Sequence, residues 1–313
     1  MRKEGIILCS NKHAFLIMVH NNSLTLYKCI QQIDSEFADI FIHVDLKCKN
    51  FNYERLKAVV KHSNLYFTTE RVKVYWGSFS QIECEMLLLK YARRKSDYSY
   101  FHLISGQDLL LKPINIIYKE CEESNNSIFL DYRPILLNTN ESNDRYLSKG
   151  FYYRVSLKHY FVNQLSSRSL FVRQLYRVQN KITGIFEQRV LHQDIIQKFN
   201  LKPKGGANWF SLPLEVVDFI LKRENQIFKI FKRGKFVDEL FIQMIIGTDG
   251  RFDNSIVPNK RMVSFDSNNT GHPKIWTIDD YDKLVNSNCF FARKFDEDID
   301  CEIIDKIFKH TLI

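Results

Sequence analysis

The chain has 313 residues, of which 45% are apolar, 26% charged and 14% aromatic. That length fits one large domain or two modest ones. The apolar share fills a core without staples and excludes an intrinsically disordered chain. With 45 Lys and Arg against 36 Asp and Glu, the net charge of +9 favours anionic partners: nucleotides, nucleic acid or acidic lipid surfaces.

In chain order, AFLIMV (14–19) is a continuous apolar run and reads as a buried parallel strand. It is far too short to span a membrane or to serve as a signal core. Ser23 caps a following helix that carries Leu24, Tyr27, Cys29 and Ile30. DIFIHV (39–44) is a second strand, ending at Asp45. LKAVVKH (56–62) reads as helix, and NLYFT (64–68) and VKVYW (72–76) as extended. Ser80-Gln81-Ile82-Glu83 has the spacing of a capping box opening a helix to about Arg94. YSYFHLI (98–104) is a further buried strand, Pro113 suits a first helical turn, and SIFLDY (127–132) is the next strand. Repeating β-α units imply a mostly parallel sheet covered by helices. Ligands on such sheets gather at the carboxyl ends of strands, which points at His43, Asp45, Trp76, Ser105 and Asp108.

The middle changes character. From Arg145 to Phe186 there is no acid, yet there are eight Lys or Arg, interleaved with Tyr146, Phe151, Tyr152, Tyr153, Tyr160, Phe161, Phe171 and Tyr176. The pattern suits an acceptor or anionic-membrane platform, and equally a helical insertion with a solvated basic face. Beyond it, GANWFSL (206–212) reads as strand and Pro213 to about Arg223 as helix. A further helix is expected from Asp238 to Ile246, stopped by Gly247. RMVSF (261–265) and NCFFA (288–292) read as strands, and a short helix begins near Asp298.

Several chemistries are disfavoured. No G-x-G-x-x-G or G-x-x-x-x-G-K-S/T occurs, which speaks against dinucleotide and P-loop folds. No G-x-S-x-G, H-E-x-x-H or C-x-x-C is present. The seven cysteines (9, 29, 48, 84, 121, 289, 301) read as free thiols of a reducing compartment. D-x-D appears at Asp296–Asp298 and Asp298–Asp300, where acids suit the start of the last helix better than a cation. Asp45 would stand at the ligand edge, able to accept from a uracil or ribose, or would simply close a turn. Trp76-Gly77 lies between a strand and a helix start, where backbone N–H groups attract anions. Ser105-Gly106-Gln107-Asp108 is a polar turn suited to sugar hydroxyls. Glu239 either compensates a helix dipole or does chemistry, and Arg261, Arg293 and Lys294 are solvated cations or ligand contacts.

Taken together, IHVD (42–45), WGSFS (76–80), LISGQDLLLKP (103–113), GANWFSL, VDELFIQ (237–243), HPKIWTIDDYDKL (272–284) and FARKFD (291–296) resemble, in order, the core-2/I-branching N-acetylglucosaminyltransferase family. This is glycosyltransferase family 14, which also contains the peptide O-xylosyltransferases. Leu110 departs from the pattern, standing where members often carry Pro. The resemblance implies an α/β, GT-A-like fold, a mostly parallel central sheet flanked by helices; the basic segment 145–186, which matches no motif of the family, is expected as a helical insertion. It implies a single domain over 1–313, with about 13–132 as nucleotide-binding half and about 133–313 as acceptor-binding and catalytic half. The implied activity is inverting transfer from a UDP-sugar (N-acetylglucosamine or xylose) to a glycan hydroxyl, with no metal and no other cofactor.

By the same resemblance, Glu239 is the catalytic base, and Arg261 and Lys294 hold the UDP diphosphate in place of a metal. Val19, His20 and Asp45 hold uridine, while Trp76, Ser80, Asp108 and Trp209 face donor or acceptor sugar. A bacterial member is expected, working in the cytoplasm on surface polysaccharide, with a glycan or lipid-linked glycan acceptor and peripheral contact with an anionic membrane. Nucleic acid is not an expected partner. Two alternatives are a metal-dependent GT-A transferase using the late Asp cluster and a non-enzymatic, basic nucleic-acid-binding protein.

Overall fold

Phe15, Ile17 and Val19 point to one side of their strand and Ala14 and Leu16 to the other, and all five are buried. Only a strand covered on both faces needs such an uninterrupted apolar run. In the computed structural model, which describes residues 12–135, 149–160, 162–163, 167, 169–186, 194–265 and 273–312, this strand, His13–Val19, lies inside a seven-stranded sheet. Cys9, Arg145, Tyr146, Phe161 and His272 lie outside the described residues.

The sheet runs Ile256–Val257, Ile128–Phe129, Ser211–Pro213, Tyr100–Ser105, His13–Val19, Ala38–Val44, Leu65–Phe67. All its neighbouring pairs are parallel except those of Ser211–Pro213, which runs antiparallel to Tyr100–Ser105 and to Ile128–Phe129. One face is covered by helices Leu24–Ile33, Ile114–Glu122 and Cys301–Thr311, the other by Ser80–Arg93, Leu214–Leu221 and Phe241–Asp249. A second, three-stranded sheet joins Arg261–Val263, Phe291–Arg293 and Asp108–Leu110. Its last pair is antiparallel and sets Arg293 directly opposite Asp108. The α/β architecture with a mostly parallel central sheet is therefore as expected, and helices Lys149–Ser156 and Leu170–Phe186 form in the basic segment.

Local signals fare unevenly. Ser23 does cap its helix, accepting from the Leu26 amide at 3.1 Å, and its hydroxyl donates to the Gly106 carbonyl across the turn. Ser80 does not cap. The N-cap position falls on Phe79, and the Ser80 hydroxyl instead accepts from the Tyr75 amide at 2.8 Å and meets Ser78 Oγ at 2.5 Å. VKVYW forms no strand. The sheet edge is Leu65–Phe67, and the chain then crosses the strand ends, its Val72 amide donating to His43 Nε2 at 2.8 Å. LKAVVKH is helical only to Lys57, within Tyr53–Lys57.

GANWFSL pairs only at Ser211–Pro213. Asp238 and Glu239 sit in a single 3₁₀ turn, Val237–Glu239, ahead of the helix Phe241–Asp249. That helix runs through Gly247 and stops at Gly250, whose φ of 80° supplies the left-handed cap. The six cysteines among the described residues are all unpaired.

Candidate active site

Two adjoining cavities open along the carboxyl ends of the central strands. The inner one, about 620 Å³, is lined by Val19, His20, His43, Asp45, Tyr75 and Gln107, among others. The outer cleft, about 1230 Å³, is lined by Asp131, Arg154, Phe236, Asp238, Glu239 and Arg261, among others. Trp76, Gln81, Trp209 and Arg293 line both and form the passage between them.

The inner cavity is built by strand ends. The Asp45 amide donates to the Val19 carbonyl at 2.7 Å, tying the ends of two neighbouring strands together. Its carboxylate accepts from the Lys47 amide at 2.8 Å and lies 3.4 Å from Lys47 Nζ. Asp45 is thus both the closing group of a turn and part of the cavity wall. His43, beneath it, is held at a pKa of about 4 by burial and stays neutral. His20 stands at the rim; the concave wall desolvates its imidazole, and the charge of Lys294 helps to hold its pKa below the ordinary value. Lys294 itself is not among the residues that line either cavity.

The wall between the cavities is aromatic and cationic. The guanidinium of Arg293 stacks over Trp209, 4.4 Å from the ring centre. It donates to Asp108 Oδ1 at 2.9 Å and to Ser105 Oγ at 2.6 Å. Asp108 in turn accepts from the Ser105 amide and hydroxyl, both at 2.8 Å. Opposite, Trp76 is half exposed and meets Phe236 edge-on at 4.6 Å. The Phe236 amide donates to the Gly77 carbonyl at 2.8 Å. Phe236 is left-handed at φ 50°, a costly conformation for an aromatic residue that the surrounding contacts hold in place. Gly77, at φ 73°, lies so close to that ring that a Cβ would collide with it.

The outer cleft carries a row of carboxyl groups. Glu239 accepts from Arg154 Nη1 at 2.6 Å, and its main-chain carbonyl accepts from the Gly206 amide at 3.0 Å. Asp238, behind it, accepts from Gln81 Nε2 at 2.9 Å, while Gln81 Oε1 holds the Gly77 amide at 2.7 Å. Burial pushes the Asp238 carboxyl up to about 7, with the charge of Glu239 acting the same way and Arg154 against it. Deeper still, burial raises the Glu85 carboxyl well above the carboxylate range, and the charge of Asp238 adds to this. The two inner acids thus resist ionisation, while Glu239 at the cleft end of the row is paired with Arg154.

The expected site residues divide into three groups. Glu239, Arg261, Trp76 and Trp209 share the outer cleft, and Val19, His20 and Asp45 share the inner cavity. Ser80 and Asp108 lie behind the walls as buried braces. Arg261 lines the cleft with its guanidinium turned to the protein. Its Nη atoms donate to the carbonyls of Asn259 (2.6 Å) and Phe210 (2.5 Å), and it stacks over Phe291. Burial holds its pKa down to about 9, so it remains a cation at neutral pH.

Asp296, Asp298 and Asp300 line neither cavity. Asp300 caps the last helix, accepting from the Ile303 amide at 3.1 Å. Among the described residues, one group has metal-ligand proximity: His13 and His102 on neighbouring strands and Cys121 on the helix Ile114–Glu122, all buried. There the imidazoles already bond each other, Glu122 and Ser211.

Arg154, Gln81, Asp238 and Glu85 carry no motif that marks them as site residues, and Arg293 reads from the sequence only as a solvated cation or ligand contact at a strand end. The one available signal was the run of cations without acids in which Arg154 lies.

Fold and cleft together define an α/β protein that takes its ligand at the carboxyl edge of a mostly parallel sheet. The chain belongs to the core-2/I-branching enzyme family, whose model matches residues 13–285 of the 313. The family is one of enzymes, which sets the non-enzymatic alternative aside. Comparison with curated proteins finds no match. Among solved structures, a candidate nucleotide-diphospho-sugar transferase from Desulfovibrio desulfuricans G20 is similar at 11% identity and a TM-score of 0.26. The match covers 38% of this chain and 58% of that one, too weak a likeness to carry an argument. No described helix is long and apolar enough to cross a membrane.

Proposed function

We propose that the chain is an inverting, metal-independent transferase that moves N-acetylglucosamine or xylose from a UDP-sugar to a glycan hydroxyl, in bacterial surface polysaccharide synthesis. The observation that carries this reading is the joining of the two cavities: an inner pocket with room for a nucleoside opens, past Trp76, Trp209 and Arg293, onto a cleft containing Glu239. Uridine would lie between Val19, His20 and Asp45. The sugar would occupy the passage, its apolar face against an indole ring.

The acceptor oxygen attacks the anomeric carbon as the bond to UDP breaks. Glu239 takes the hydroxyl proton, a role worth about 10²–10⁴ in rate. Its carboxylate is oriented for this by Arg154. UDP leaves with a growing negative charge near Lys294 and Arg293, and Arg261 adds positive field from behind the wall. Fixed charges placed where the transition state needs them cost no reorganisation. Displacement from one face turns an α-linked donor into a β-glycoside.

Metal independence is supported by where the D-x-D acids stand: Asp280 and Asp282 at the start of the helix Tyr281–Val285, and Asp296, Asp298 and Asp300 ahead of the last helix, all outside both cavities. UDP release from a panel of UDP-sugars, followed in excess EDTA, tests the reading. Undiminished turnover is expected; a strict manganese requirement would return the metal-dependent alternative.

A further inference from the structure

The helix Leu170–Phe186 wears its apolar side outwards. Phe171, Leu175, Val178, Ile182 and Phe186 recur every three or four residues and so share one face. All five are open to solvent, from 52% for Leu175 and Phe186 to 71% for Phe171. The inner side is the polar one. Tyr176 is buried there, with Lys235 Nζ 5.9 Å from its ring, and the Asn180 side chain bonds the Tyr176 carbonyl. A surface helix ordinarily hides its apolar stripe in the core. A contiguous stripe kept outside marks a binding surface.

Charge selects the occupant. The helix contains Arg173, Arg177 and Lys181 and no acid, and the absence of acids extends over 145–186. Arg177 and Lys181 are exposed beside the stripe. A second copy packed stripe to stripe would set cations near cations with no carboxylate on either helix to answer them. An anionic bilayer meets both features. Its acyl boundary receives the apolar face, and its headgroups receive the flanking cations.

We propose that Leu170–Phe186 is an in-plane docking helix for an anionic lipid surface. It lies against the wall of the cleft: Lys235 packs over Tyr176, and the next residue, Phe236, lines the cleft beside Arg154. Docking would therefore hold this wall of the cleft close to the membrane. The inference stands on the helix alone and not on the reading of the cleft.

Co-sedimentation of the full chain with vesicles tests it, comparing phosphatidylglycerol–phosphatidylcholine mixtures with phosphatidylcholine alone. Binding is expected to the mixed vesicles and to weaken with salt. Leu175→Glu with Ile182→Glu should lower it at least about tenfold by removing the buried face. Arg177→Glu with Lys181→Glu should lower it about tenfold and flatten the salt dependence. All four positions are exposed, so both variants should keep the wild-type circular dichroism and Tm.

Absence of binding by the folded wild type overturns the proposal, as does equal binding by the variants. A concentration-dependent dimer broken by the same substitutions, without vesicle binding, would give the stripe to a second copy and also overturn it. Vesicle binding needs no donor, so this outcome and that of the turnover assay are separable.

Discussion

Arg154 reaches Glu239 from a helix 85 residues earlier in the chain and donates to its Oε2 at 2.6 Å. The contact joins the basic segment, which matches no motif, to the carboxylate proposed as the base. The guanidinium also lies over the Phe236 ring, 5.0 Å from its centre, which helps to fix its place. Arg154→Ala should lower kcat about 10–10²-fold through misplacement of the base. The KM for the UDP-sugar should stay near wild type, because Arg154 does not line the inner cavity. Arg154→Lys should recover part of the loss, and steady-state UDP release reads both.

Asp238 makes a stability prediction with a definite sign. Its carboxyl is raised to about 7 in the folded chain, against an ordinary value of 3.8. The folded state therefore holds this proton more tightly than the unfolded state. The contribution is fully present below about pH 4 and is lost as pH rises to about 7. Asp238→Asn should remove that loss, so the variant gains on wild type as the pH climbs from 5 to 8, by on the order of 1 kcal/mol or more. Urea midpoints across that range measure it.

Arg293 and Asp108 are cross-strand partners with side chains only 19% and 5% exposed. Arg293→Met would leave the Asp108 carboxylate buried without its cation. Breaking a buried pair from one side costs about 3–5 kcal/mol, whereas removing both charges costs far less. Arg293→Met should thus destabilise strongly, and Asp108→Asn added to it should restore part of the stability. Chemical denaturation of the two singles and the double reads this as a coupling energy.

Asp45 should act on the donor and not on the proton. Asp45→Ala should raise the KM for the UDP-sugar about tenfold, as expected for losing a hydrogen bond to a charged group. Its kcat should stay close to wild type once donor is saturating.

The parallel core was legible because strands such as AFLIMV and DIFIHV need cover on both faces, and that demand shows directly as uninterrupted apolar runs. VKVYW has similar residues and forms no strand, because the edge is already occupied by Leu65–Phe67 and its Val72 amide finds His43 instead. Ser80 has capping-box spacing, but Ser78 and the Tyr75 amide hold its hydroxyl. Competition of this kind depends on three-dimensional neighbours and leaves no local pattern. Glu239, Asp45 and Trp209 could be named from motifs. Arg154 could not, since its partner is distant in sequence. Asp238 and Glu239 are adjacent residues of one turn, yet only burial separates the inner acid from the outer one.

The most direct measurement is UDP release by Glu239→Gln beside wild type, in excess EDTA, with UDP binding followed by thermal shift on the same samples. The account predicts metal-free turnover by wild type, a fall of about 10²–10⁴ in the variant, and the same UDP-induced shift in both. Equal turnover by Glu239→Gln would contradict it.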